Sequence, residues 1–158
     1  INPQYASAYY NRGNAKDDLG DAQGAIADYN KAIEINPQYA AAYYNRGVAK
    51  GELEDYQGAI ADYTKAIEIN PQYADAYINR GVVKYDIKDY KGAIADYTKA
   101  ITINPQYAAA YNNRGNARYK SKDSQGACKD YKRAVSLGEQ STAQWLNSED
   151  GSWCRNMK

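Results

Sequence analysis

The chain is 158 residues long and carries 20 basic against 19 acidic side chains, a net charge of +1. That balance argues against a dedicated nucleic-acid binder, which shows a basic face or stripe, and no run approaches the roughly 18 apolar residues that cross a membrane. With no histidine and only two cysteines, Ser-His and Cys-His nucleophile pairs, His-containing metal sites and Cys₄ zinc sites are excluded, and no Gly-rich phosphate loop is present. No catalytic residue, cofactor or metal is therefore expected. No signal-like segment stands out, and a cytoplasmic location is expected.

Two blocks recur with a step of 34 residues: NPQYAxAYxNRG from Asn2, Asn36, Asn70 and Asn104, and GAIADYxKAI from Gly24, Gly58 and Gly92, degraded at Gly126. A fixed period of this length marks a repeat array. Ile1-Asn2-Pro3 matches Ile35-Asn36-Pro37, so residues 1–5 read as the tail of a preceding repeat in a longer protein. From about Ala6 to Leu19 the spacing predicts a helix, with Tyr9, Arg12, Gly13 and Lys16 on one face. Gly20 suits the left-handed residue after a helix, and Asp21 the N-cap of the next. Asp55, Asp89 and Asp123 repeat the cap, while Glu54, Lys88 and Lys122 replace the glycine at ~1 kcal/mol each where φ stays positive.

A second helix is predicted from about Ala22 to Ile35, with Ala25, Tyr29, Ala32 and Ile33 forming its apolar stripe. Asn36-Pro37 stops it, because the residue before proline is pushed out of the helical region. The same alternation predicts units at 6–39, 40–73, 74–107 and 108–138. Within each, small residues (Gly13, Ala25 and Ala32 in the first) let two helices approach, and tyrosines (Tyr9 and Tyr29) plug the spaces beside them. After Gly138 no NPQYA block follows. Ser141 and Gln144 read as a capping box opening a helix with Trp145 and Leu146, so 139–158 is expected to be a capping helix and tail that covers the fourth unit.

The aromatic–Gly–Ala–aromatic–Ala–Pro pattern resembles the tetratricopeptide repeat (TPR) family over about 135 of the 158 residues. The YYNRG, AIADY and KAIEINP wording is similar to its bacterial, notably cyanobacterial, members. The resemblance implies an all-α fold: a right-handed α-solenoid of four helix-turn-helix repeats plus the C-terminal capping helix, with first helices lining a concave groove. It also implies a non-enzymatic protein-interaction module. A departure is Arg12, Arg46, Arg80 and Arg114, where members often carry Leu.

Those arginines recur in every unit with Asp28, Asp62, Asp96 and Asp130, and are expected to pair across the two helices of a unit, since an unpaired buried charge is costly. An arginine row that captures phosphate or carboxylate is the competing reading. Lys16, Lys50, Lys84 and Arg118 read as snorkelling stems rather than a binding stripe. Unit-to-unit variation falls at i, i+3, i+7 and i+10 of the first helices, one face, which the resemblance places in the groove. From it come the candidate peptide-contacting residues Tyr10, Asn14, Tyr44, Val48, Ile78, Val82, Tyr85, Asn112, Asn116 and Tyr119. Beside them runs an invariant row, Asn11, Asn45, Asn79 and Asn113, whose amides both donate and accept and so suit the backbone of an extended peptide; bonding to helix backbone is the alternative.

The expected partner is a protein or peptide, extended or helical. Asp17, Asp18, Glu52, Asp75 and Asp86 at the groove edge favour a neutral or basic ligand over an acidic one. The alternatives are a scaffold with weak end-to-end self-association, or a regulatory module of a larger protein. Cys128 takes the place held by isoleucine in the other units and should face the capping helix. Two free buried thiols are expected in a cytoplasmic chain, with a disulfide to Cys154 as the alternative.

Overall fold

The computed structural model describes residues 3–157, with side chains from Tyr5 onward. Among these residues every regular element is a helix. In chain order they are α1 (Pro3–Asp18), α2 (Ala22–Ile35), α3 (Ala40–Glu52), α4 (Tyr56–Ile69), α5 (Ala74–Asp86), α6 (Tyr90–Ile103), α7 (Ala108–Lys120), α8 (Ser124–Ser136), α9 (Gln140–Asn147) and α10 (Ser152–Arg155). The chain divides into two compact units that meet between Val83 and Lys84, inside α5. Helix α1 begins at Pro3 rather than Ala6. Proline is at home in the first turn, where its missing N–H has no intrahelical partner to lose.

The boundaries follow from local chemistry repeated four times. Each second helix opens on an aspartate whose carboxylate accepts the backbone N–H three residues on: Asp21 from Gly24, Asp55 from Gly58, Asp89 from Gly92 and Asp123 from Gly126, at 2.8–3.0 Å. The residue before each cap has positive φ, 80° at Gly20 and 60°, 65° and 68° at Glu54, Lys88 and Lys122. The turn geometry survives where the glycine does not. Each Asn-Pro stop is an Asx turn, with Asn36, Asn70 and Asn104 Oδ1 accepting from the N–H two residues later.

Within the first unit, α1 packs on α2 and α3 on α4, and α2 packs on α3. Ala25, Tyr29 and Ala32 are wholly buried. The tyrosine ring lies on the glycine of the facing helix. A Cβ on Gly13 would come within 2.6 Å of Tyr29, and one on Gly47 within 2.8 Å of Tyr63. Within the second unit Gly115 and Tyr131 repeat the arrangement between α7 and α8, at 2.6 Å.

The expected Arg–Asp pairing is present. Arg12 grips Asp28 through Nε and Nη2 at 2.7 and 2.6 Å, and Arg46–Asp62 and Arg114–Asp130 make the same two-pronged contact. Each aspartate is almost fully buried. The reading of Lys16, Lys50, Lys84 and Arg118 as snorkelling stems is corrected. Their charged heads bond the same aspartates at 2.8–2.9 Å, because a carboxylate with one guanidinium still has lone pairs to satisfy. Each arginine also lies over the ring of a tyrosine on its own helix, 5.2–5.6 Å from the centroid.

The C-terminal end departs from expectation in two places. Helix α9 starts at Gln140, with Glu139 at the cap position and no side-chain cap bond. Ser141 lies in the first turn and donates to Glu139 Oε1 instead, so the capping box is not formed. The two cysteines are not free thiols. Cys128 and Cys154 form a disulfide, their Cα atoms 5.2 Å apart. The physical reason is the return path of the chain, in which Gly151 lies against the Trp145 carbonyl with no room for a Cβ, so α10 folds back onto α8. There Cys128, Tyr131 and Cys154 form a buried cluster with Trp145, Leu146 and Trp153 around it.

Candidate functional site

In the first unit, Tyr10 lies tilted against Tyr39 with centroids 4.9 Å apart, and Tyr44 stacks on Tyr73 at the same distance. Their hydroxyls accept hydrogen bonds from the asparagine of the following repeat: Asn45 Nδ2 to Tyr10 at 3.1 Å and Asn79 Nδ2 to Tyr44 at 2.9 Å. Neither alternative foreseen for the row describes this bond, which ties one repeat to the next. It draws on the amide N–H groups, and among the described residues nothing donates to the Oδ1 of Asn45 or Asn79. Asn14 Oδ1 accepts twice, from Asn45 Nδ2 and from the Tyr29 hydroxyl, both at 2.9 Å.

The remaining positions differ in what they can offer a ligand. Asn11 is exposed and Val48 half-buried, packed beside Tyr63 and Ala59. Ile78 is 7% exposed, a core residue, while Val82 is 37% exposed. In the second unit Tyr85 meets Tyr90 edge-on at 5.3 Å. Tyr119 is half exposed and stacks on Trp153. Asn112 Oδ1 accepts from Thr142 at 2.7 Å, Asn116 Oδ1 from the Tyr131 hydroxyl at 2.9 Å, and Asn113 is half-buried.

Sequence reasoning missed the α9 contribution. Ser141, Thr142 and Trp145 join Asn112, Asn116 and Tyr131 around a cleft of about 210 Å³. Ser141 reads only as part of a capping box and Thr142 is not singled out, since nothing in one sequence shows which earlier helix a cap will face. Tyr39 and Tyr73 were also overlooked, being part of the invariant NPQYA turn.

Electrostatics in the first unit are set by burial and by acidic neighbours. Desolvation pushes the hydroxyl of Tyr44 above its ordinary value, and that of Tyr73 up to about 12. Burial also raises the Asp17 carboxyl, with Glu52 and Asp18 adding to it, and Asp17 Oδ1 accepts no hydrogen bond. These neighbouring carboxylates form the acidic side of the first unit. Among the described residues no group of His, Cys, Asp or Glu is placed to hold a metal ion, and no helix is long and apolar enough to cross a membrane.

Helix hairpins of this construction define a helical-repeat protein. Family comparison gives the same class. Residues 40–73 match a tetratricopeptide repeat, 17–53 and 83–122 a TPR repeat, and 108–140 a further tetratricopeptide repeat. A crystal structure of MamA is 30% identical, covering 90% of this chain and 83% of that chain with a TM-score of 0.83. The Arabidopsis OM64 TPR domain is 31% identical over 75% of this chain and 98% of its own, TM-score 0.73. The first TPR of Spaghetti (RPAP3), solved bound to the HSP90 peptide SRMEEVD, is 25% identical over 78% and 95%, TM-score 0.72. No curated protein matches. The chain belongs to the tetratricopeptide repeat family.

Proposed function

We propose that this chain is a non-enzymatic adaptor that binds a neutral or basic peptide in extended form along its first helices. The carrying observation is the asparagine row: tyrosine hydroxyls hold Asn45 and Asn79 by Nδ2 and leave each Oδ1 able to accept from a peptide N–H. Half-exposed aromatic rings beside it supply the kind of surface that dominates binding energy. Family membership supports a protein-interaction role, as does the peptide bound to the RPAP3 relative. The disulfide bears on location: such bonds persist in oxidising compartments, which favours one of these over the cytoplasm expected from sequence.

The test is selection from a random peptide library on the intact chain. Asn45→Ala and Asn79→Ala should each weaken the selected peptides roughly 5- to 10-fold, one to two neutral hydrogen bonds. Lys31→Ala and Lys65→Ala, on the second helices, should not. The reverse pattern would reject the reading.

Self-association at the α1 end is a second reading with its own observation. Arg46 and Arg114 each spend Nη1 on the second helix of the preceding repeat, at Asn30 and Thr98. Among the described residues Arg12 has no such bond, and a cleft of about 230 Å³ lies among it, Tyr5, Ala8 and Tyr9. Sedimentation at rising concentration tests this; mass that stays monomeric rejects it.

A further inference from the structure

The cleft between α7, α8 and α9 has a counterpart inside the array, and the counterpart is filled. In the first hairpin the space bounded by Tyr10, Asn14 and Tyr29 is taken by the carboxamide of Asn45, which donates to Asn14 Oδ1 at 2.9 Å and to the Tyr10 hydroxyl at 3.1 Å. The residues 102 positions on are Asn112, Asn116 and Tyr131. They line the cleft of about 210 Å³ together with Ser141, Thr142 and Trp145. That is room for one side chain, several times the ~30 Å³ share of a water.

We infer that this cleft is a binding site for a primary carboxamide, the side chain of a glutamine or asparagine in a peptide ligand; the inference rests on the peptide-binding reading above. Asn116 Oδ1 holds the Tyr131 hydroxyl just as Asn14 holds that of Tyr29, and Asn14 shows that this oxygen takes a second donor. The ligand's NH₂ supplies it. Asn112 Oδ1 already accepts from the Thr142 hydroxyl, so its Nδ2 is the donor for the ligand's carbonyl. Trp145 and Tyr131, their rings edge-on at 4.9 Å, cover the methylene stem.

The same arrangement rejects the neighbouring chemistries. A carboxylate has no proton for Asn116 Oδ1, and no lysine or arginine lines the cleft to attract it. An ammonium has no lone pair to accept the Asn112 Nδ2–H, and an apolar side chain leaves both amides unmet. A site built to hydrogen-bond a ligand discriminates strongly against the analogue lacking that group.

The experiment uses the intact oxidised chain and three blocked tripeptides, Ac-Ala-Gln-Ala-NHMe and its Glu and Met analogues, titrated while the side-chain amide and indole NMR signals of Asn112, Asn116 and Trp145 are followed. The Gln peptide should shift these signals and bind at least roughly 5-fold more tightly than either analogue, one neutral hydrogen bond or more. Asn116→Val should remove that preference. Val48 stands at the same position of the second repeat, so the hairpin tolerates the substitution, and Asn112→Ala gives an independent check. Equal binding of the three peptides, or a Gln preference that survives both variants, overturns the proposal. The two readings fail separately: loss of the Gln preference with the Asn45 and Asn79 effects intact sinks only the cleft, and the converse sinks only the asparagine row.

Discussion

Arg12 and Arg114 make the same two bonds to a buried aspartate across their hairpins, yet their side chains are 59% and 12% exposed. Arg114 is walled in by α6, where Thr98 takes its third donor, and Arg133 shares the Tyr111 ring beneath it. Arg12 has no helix on that side among the described residues. The hairpin lock therefore belongs to the repeat itself, and the neighbours only set how dry it is. Beyond the last hairpin the chain closes the apolar face with α9, α10 and a disulfide, whereas the outer side of α1 leaves Tyr5 61% exposed.

The largest test of that contrast is to undo the closed end. The disulfide spans a sequence separation of 26, and removing a cross-link over such a loop costs ~3 kcal/mol. Cys128→Ala/Cys154→Ala should lower the urea midpoint accordingly, and reductant should reproduce the loss in the native chain but add nothing to the variant. A shift below ~0.5 kcal/mol would mean that packing of Trp145 and Trp153 holds the end alone.

Next comes the lock in its two settings. Asp130→Ala strands both Arg114 and Arg118 in a mostly buried place and should cost ~3 kcal/mol. Asp28→Ala leaves Arg12 with water to turn to and should cost ~1 kcal/mol. Equal losses by denaturant unfolding would show that exposure does not govern the pair.

The repeat frame was legible because its devices are local and recur: the Asp cap, the Asn-Pro stop, and the Gly–Tyr contact all fall within one period. The Arg–Asp pairing was legible for the same reason, since both partners return every unit. What could not be read were contacts whose partner occurs once. Cys154 meeting Cys128 depends on how a tail without a period turns back. The role of Lys16 and its equivalents was missed for another reason, that a snorkelling stem and an ion-paired head look alike in sequence. For the asparagine row, the structure brings Asn45 and Asn79 to tyrosine hydroxyls one repeat back, a separation of 35 that no helical spacing suggests.

Acid titration sharpens the contrast at Arg12 further. The bonds from Arg12, and then Lys16, hold the Asp28 carboxyl down to about 2. A carboxyl lowered on folding adds stability that is present above its unfolded pKa near 4 and is lost as pH falls towards 2. Asp28→Asn should flatten the acid limb of the stability curve in that window and leave it unchanged in shape above pH 5. A smaller effect is expected at the turns. Lys122, at φ 68°, replaced by glycine should gain ~1 kcal/mol, and Gly20→Lys at φ 80° should lose as much; thermal melts read both.

The smallest effect is also the one that joins stability to binding. Asp17 is half-buried, its Oδ1 accepts nothing, and burial, Glu52 and Asp18 all raise its pKa. A carboxyl raised on folding favours the fold while protonated, below its unfolded pKa, and that contribution is lost as pH climbs through the raised value. At neutral pH the charge therefore works against the fold, and Asp17→Asn should stabilise by ~0.5 kcal/mol, the scale of relieving one half-exposed charge. The fold does not need this carboxylate, and Asn14 already stands three residues before it in the row of candidate contacts. If its work is to meet a basic ligand, the same variant should weaken a lysine-bearing peptide selected on this chain, and more so in low salt, where exposed charges are less screened. A gain in stability with unchanged affinity at every salt concentration would remove the preference for basic ligands while leaving the asparagine row untouched.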